Sequence, residues 1–239
     1  MKIDVCLVTK NNINEVDGIE HVPVNHLIIE TSAPLALARK RAIEKVRTPI
    51  FAFVDDDVEL DETWFDTLIS HMQDPTVGAV QGILSTKGLG VKWDKALKKY
   101  KGDPIILKLG ERGFTHNALI KTELVRDWNP PENLSSWEDY DLTTHILKKG
   151  YSWLRVPTES MHRNSWKKTW KNAQWGISGR KRYYPYRKDS VVQIIRKTIW
   201  IIRVVFSMKM NWREKIFRVY FSIATIWAHM KWLYKSAGM

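Results

Sequence analysis

The chain has 239 residues, 44% of them hydrophobic and 27% charged, which allows one substantial core and excludes a disordered polypeptide. A single cysteine, Cys6, excludes a disulfide framework and fits a reducing, cytosolic setting. The net charge of +12 hides an asymmetry: residues 1–162 carry 20 Lys and Arg against 24 Asp and Glu, whereas residues 163–239 carry 18 against 2. Even surface solvation does not produce such one-sidedness, which points to a polyanionic partner: nucleic acid, an anionic membrane surface or phosphate groups.

The run IDVCLVT (3–9) reads as a strand, not a signal peptide, and HLIIET (26–31) as a second strand. PLALARKRAIEKV (34–46) repeats Leu35, Ala38, Ala42 and Val46 at helical spacing, with Pro34 where a helix start tolerates it. PIFAFV (49–54) is short, apolar and rich in aromatic and β-branched residues, as a strand covered on both faces must be. DETWFDTLISHM (61–72) predicts a helix opened by acidic residues, and VGAVQGIL (77–84) another strand. This β–β–α–β–α–β order argues for a largely parallel sheet of nucleotide-binding type. Residues 86–115, with five glycines, read as loop and short elements. A later helix is expected to be capped by Ser135 or Ser136, to bury Leu142, Ile146 and Leu147, and to end at Gly150. YSWLRVP (151–157) then closes the body as a strand.

Asp55, Asp56 and Asp57 end the apolar run. Three adjacent carboxylates repel one another unless water or a cation screens them. They are either a solvated acidic turn or a divalent-metal site at the carboxyl end of a strand, where open α/β sheets bind ligands. Because Asp55 and Asp57 lie two apart, both can point toward one ion while Asp56 turns away.

The ordered set PLALARKRAIEKV, IFAFVDDDVEL, HNALIKTELV, WEDYDL, KKGY, VP and a following His, over about residues 3–162, resembles the family 2 glycosyltransferases of the GT-A fold. The resemblance implies an α/β fold, a Rossmann-like mixed, mostly parallel sheet flanked by helices, to which the C-terminal segment adds an amphipathic helical appendage read from its own pattern. It implies inverting transfer of a sugar from a nucleotide-diphosphate donor, GDP-mannose or a UDP-hexose, to a hydroxyl of a glycan or lipid-linked acceptor. It also implies Mn²⁺ or Mg²⁺ on the diphosphate, held by Asp55, Asp57 and His162. Asp139 is then the catalytic base, with Glu138 its competitor. A base is required because the acceptor hydroxyl must lose its proton to an oxocarbenium-like centre. Simple charge complementarity at a helix N-terminus is the competing reading of that acidic cluster. Thr9 and Glu30 fall where the family holds base and ribose, Glu30 standing where Asp is more usual. Arg39 is placed to balance the diphosphate or Asp55, and Asp56 to touch ribose or orient its loop. His116, Asn117 and Trp137 fall on the acceptor side; Trp137 either stacks on a sugar or fills core.

The expected organisation is a catalytic domain over 1–162, a basic aromatic connector over 163–190, and amphipathic helices within 191–239, at about 191–206 and 212–234. In the last segment Asn211, Glu214, Lys215, Arg218, Ser222, Thr225 and His229 form a narrow polar stripe on an otherwise apolar helix. Neither segment reads as a transmembrane span, and the aromatic and basic excess predicts interfacial helices at the cytoplasmic face of a membrane. The rival is that they pack on each other and on the sheet. A rival function is a nucleic-acid-binding protein using KKTWKNAQWGISGRKRYYPYRK (167–188), where cations interleave with aromatics. A metal-dependent phosphohydrolase is a third, without an evident nucleophile motif.

Overall fold

The computed structural model describes residues 1–9, 16–87, 91–92, 103–163, 165–183 and 212–236, together with Arg196, Ile199, Arg203, Val205 and Phe206. The chain divides into two compact units, Met1–Ser85 with Trp93–Arg163, and Thr86–Lys92 with Asn164–Met239.

The first unit is built on β1 (Ile3–Val8), β2 (Val24–Glu30), β3 (Ile50–Asp55), β4 (Val58–Glu59), β5 (Val77–Lys87, whose last two residues enter the second unit), β7 (Ile105–Ile106), β8 (Asn117–Lys121) and β9 (Ser152–Arg163); β6 (Val91–Lys92) belongs to the second. Its helices are α1 (Leu35–Lys45), α2 (Trp64–His71) and α3 (Glu138–Lys148). The strand order is β2-β1-β3-β8-β5-β9-β4, with β1 parallel to both β2 and β3. The α/β expectation therefore holds, as a mixed sheet flanked by helices.

β3 explains why the sheet forms where it does. Phe51, Ala52, Phe53 and Val54 are all fully buried, as a strand apolar on both faces requires. Ala52 and Val54 join Trp64 and Leu68 of α2, Leu119 of β8 and Val156 of β9 in the main core. Each such large side chain contributes about 1.5–3 kcal/mol on burial. Asp4 is a charged exception inside β1. Its carboxylate accepts N–H groups of Arg47 at 2.6 Å and Thr48 at 3.2 Å, and the Asn25 amide at 2.9 Å. Burial works against the ionised form, but these bonds together hold its pKa below the usual carboxylate range. Asp4 thereby ties the turn after α1 to the sheet.

Several local expectations are corrected. β8 runs antiparallel to β3, Asn117 facing Val54 and Lys121 facing Ile50, because an apolar run carries no cue to its direction. β9 extends to Arg163, well past YSWLRVP, and the short β4 pairs antiparallel with its end. α3 is not capped by Ser135 or Ser136: its N-cap is Trp137, at φ 68°, with no side-chain cap. The chain turns into the helix through that left-handed residue, an unusual conformation for a bulky side chain. Gly150, at φ 85°, does follow the helix end. Residues 88–90 and 93–102 of the stretch 86–115, and most of the helix expected over 191–206, lie outside the described residues.

In the second unit, α4 (Trp166–Tyr183) lies within the segment read as a basic aromatic connector. It packs against α5 (Trp212–Ser236). Trp166 meets the Tyr220 ring edge-on at 4.8 Å, and the Tyr220 hydroxyl donates to the Trp166 carbonyl at 2.8 Å. Among the described residues no helix is long and apolar enough to cross a membrane.

Candidate active site

The carboxyl ends of β1, β2 and β3 bring the sequence-predicted residues to one rim. Thr9, just past β1, donates its hydroxyl to Asp56 Oδ2 at 2.5 Å, and its N–H to the Glu30 carbonyl at 3.1 Å. Asp56 thus points at the β1 end, turned from its two neighbours. Glu30 accepts the Ser32 N–H at 3.1 Å and Lys45 Nζ at 2.9 Å. Burial opposes its ionisation, but these partners outweigh it and hold the carboxyl down at about 2.

Arg39 is the hub. It projects from α1, is almost fully buried, and donates Nη2 to Asp55 Oδ1 at 3.0 Å and Nε to Glu138 Oε1 at 3.3 Å. Its guanidinium lies 4.9 Å from the Phe53 ring centre. Burial disfavours the charged guanidinium, yet the Asp55 and Glu138 charges more than restore it. A buried cation shared between two anions is stable only while both remain, so Arg39 fixes the acidic turn against α3. Its Nη1 is buried without a hydrogen-bond partner.

Asp57 and His162 face each other, Oδ2 to Nε2 at 2.9 Å. The register explains this: His162 of β9 pairs with Val58 of β4, and the Arg163 N–H donates to the Asp57 carbonyl at 2.7 Å. Burial lowers the His162 pKa, keeping the imidazole neutral, the form that ligates metals. A carboxylate beside a neutral imidazole fits a divalent ion that draws its other ligands from phosphate oxygens and water. The three-ligand set of Asp55, Asp57 and His162 is not assembled: among the described residues no three of His, Cys, Asp or Glu converge, because Asp55 is turned onto Arg39.

Glu138 and Asp139 open α3 and are both buried. Burial, and then the Asp139 charge, push the Glu138 pKa upward. Asp139 Oδ1 accepts Arg112 Nε at 2.7 Å and the Tyr140 N–H at 2.8 Å. Both bonds fall on one oxygen, leaving Oδ2 outside them.

Arg112 is the residue at this acidic cluster that the sequence reading missed. Its position is imposed from below. Gly113 N–H donates to Thr143 Oγ1 at 3.1 Å, and Phe114 N–H to Gln81 Oε1 at 2.7 Å, the same oxygen that accepts Trp153 Nε1 at 2.9 Å. A Cβ at Gly113 would lie 2.5 Å from the Trp153 ring, so only glycine admits this approach. The guanidinium rests 5.2 Å from the Phe114 ring centre and 5.0 Å from that of Trp137. The only signal in the sequence was a lone cation in a glycine-flanked segment just before His116 and Asn117.

On the predicted acceptor side, Trp137 lies against Arg112 and Tyr140, not in the core. His116 stacks on Phe114 at 5.2 Å, and burial drives its pKa to about 3. Asn117 is different: it is fully buried in β8, its Nδ2 donates to the Ile83 carbonyl at 3.4 Å, and its Oδ1 lacks a partner.

An α/β sheet whose carboxyl rim gathers an aspartate-rich turn, a buried acidic pair at a helix start and two arginines has the architecture of the GT-A fold. Residues 25–128 match the model of glycosyl transferase family 2. Similar solved structures are S. aureus TarS, 12% identical over 95% of this chain and 54% of its own, with a TM-score of 0.51, and its 1–349 form, 12% identical over 95% and 90%, at 0.50. A mycobacterial protein is 16% identical over 75% and 74%, at 0.51. At such identities the likeness is one of fold. The chain spans about half the length of the longer TarS chain. No curated relative matches the sequence. The nucleic-acid-binding alternative finds no support, since it leaves the acidic cluster without a role.

Proposed function

We propose that the chain transfers a hexose with inversion from a GDP- or UDP-sugar to a hydroxyl of a glycan or lipid-linked acceptor, with Asp139 as base. The acceptor oxygen bonds the anomeric carbon and gives its proton to Asp139 Oδ2. The bond from that carbon to the β-phosphate oxygen breaks, and the nucleoside diphosphate leaves. The observation that carries this reading is the one-sided anchoring of Asp139, whose two hydrogen bonds both fall on Oδ1. Arg112 holds the carboxylate aimed, and Arg39 anchors Asp55 and Glu138 in place.

Asp57 and His162 would hold Mn²⁺ or Mg²⁺. When bound, such an ion offsets the negative charge that gathers on the departing diphosphate. Thr9 and Glu30 line the rim where nucleoside would sit, and Trp137 and His116 the side from which acceptor would arrive. The test is release of nucleoside diphosphate from a panel of UDP- and GDP-hexoses with Mn²⁺ and a hydroxyl acceptor. Metal-dependent release that Asp139→Asn abolishes supports the reading. Release by that variant at the native rate removes Asp139 from the role of base, and full turnover in EDTA removes the metal.

A further inference from the structure

α5 is turned the wrong way round for a helix in water. Its buried face holds polar side chains, Ser222 and His229, along with Phe217, Ala224 and Ala228. The inward polar groups are satisfied on the helix's own backbone: Ser222 Oγ donates to the Arg218 carbonyl at 2.7 Å, Thr225 Oγ1 to that of Phe221 at 2.8 Å, and His229 Nδ1 lies 2.8 Å from that of Thr225. The solvent side carries Trp212, Ile216, Ile223, Trp227 and Met230, each between 39% and 66% exposed. At 100° per residue these five fall within an arc of about 60°, and they run for about 27 Å along the helix. Exposed Arg213 and Lys231 share one border of the stripe, and Lys215 lies on the other. A soluble helix normally shows the reverse arrangement, with its apolar stripe inward.

We propose that this outward stripe is a docking surface for an anionic lipid bilayer, entering the headgroup region while the bordering cations meet lipid phosphates. Three observations commit it to that occupant. Trp at both ends of an aliphatic stripe matches an interface that is apolar below and wet above. The 18 Lys and Arg against 2 Asp and Glu in residues 163–239 complement an anionic surface, and they repel a second copy of the same segment. Ile216, Ile223 and Met230 offer no ring for a base to stack on, which argues against nucleic acid. Among the described residues no helix is apolar and long enough to span, and the contact proposed for the stripe is a peripheral one.

The experiment is co-sedimentation of the full chain with vesicles of phosphatidylcholine, alone or mixed with phosphatidylglycerol, and it needs neither donor nor acceptor. The chain should pellet with the mixed vesicles, less with neutral ones and less in high salt. The double substitution Ile223→Glu and Trp227→Glu, at exposed positions, should weaken partitioning at least about tenfold without changing the circular dichroism spectrum. An environment-sensitive probe on Ile223→Cys should shift to the blue on mixed vesicles, which reads insertion directly should the double variant misfold. The proposal is overturned if the chain stays in the supernatant, if the folded double variant pellets as well as the native chain, or if the probe does not shift. It is also overturned if the substitutions dissolve a dimer or abolish oligonucleotide binding while leaving vesicle binding unchanged.

Discussion

Arg112 reaches across 27 residues to place its Nε 2.7 Å from Oδ1 of Asp139. The contact joins a glycine-flanked loop to the first turn of α3, and it leaves the second carboxylate oxygen outside the bond. If Asp139 is the base, as proposed, Arg112 acts through it, and its replacement should reach kcat before it reaches donor binding. Arg112→Ala is expected to lower kcat about 10- to 100-fold with donor KM nearly constant, since small misplacements of a reacting group cost that much. Arg112→Lys should recover only part, because a single ammonium does not reproduce an aligned guanidinium held between two rings. A loss confined to melting temperature, with kcat intact, would show the residue to be structural only.

Asp139→Asn should bind nucleoside diphosphate as the native chain does and transfer about 10² to 10⁴-fold more slowly. Glu138→Gln separates the two neighbours. It should weaken the Arg39 anchor and cost stability, visible in thermal melting, while some turnover remains. The reverse pattern, a dead Glu138→Gln beside an active Asp139→Asn, exchanges the two assignments.

On the proposed reading Asp57 and His162 would hold the metal and take no part in the proton transfer. Asp57→Asn or His162→Ala should reduce Mn²⁺-dependent affinity for nucleoside diphosphate by at least about tenfold, measured by calorimetry with and without the ion. The metal-independent part of the affinity should not move. Equal affinities with and without Mn²⁺ in the native chain would refute the pair as a metal site.

Glu30 ties β2 to α1 through Lys45, and its folded pKa of about 2 lies below the unfolded value of about 4.3. A depressed carboxylate contributes stability that is full above the unfolded pKa and is lost as pH falls toward the folded one. Lys45 is half exposed, so solvent screening reduces the contribution to the order of 1–2 kcal/mol. Glu30→Gln should therefore melt earlier at pH 7 and lose less further stability between about pH 4.5 and 2 than the native chain. Parallel stability curves for the two proteins across that range would contradict the assignment.

Much of the sheet was legible locally. β1, β2, β3 and α1 follow from apolar runs and helical spacing, which act within a few residues, and the aspartate turn follows from its position at the end of a buried strand. The clustering of Glu138 and Asp139 was visible for the same reason, as an acidic pair before an amphipathic run. The direction of β8 was not, because the order of apolar residues in a run does not depend on which way it pairs. Nor was the entry into α3, where Trp137 in the left-handed region takes the place a Ser cap was expected to hold.

The sequence by itself determined which residue types were available to the site, where the acidic rim would begin, and that the last third of the chain would carry an unpaired positive charge. The tertiary structure alone decided how these groups share partners. Arg39 meets Glu138 across 99 residues, and His162 meets Asp57 across 105. Contacts at such separations are set by strand order and register, which place the ends of β3, β9 and α3 together, and no local preference of the chain encodes them. The orientation of α5 is of the same kind. Its polar and apolar stripes are plain in the sequence, but which of them faces inward depends on the partner helix that covers it. In the folded chain Ser222 and His229 are buried while Trp212 and Trp227 face out, and α4 meets the helix at Phe217 and Tyr220.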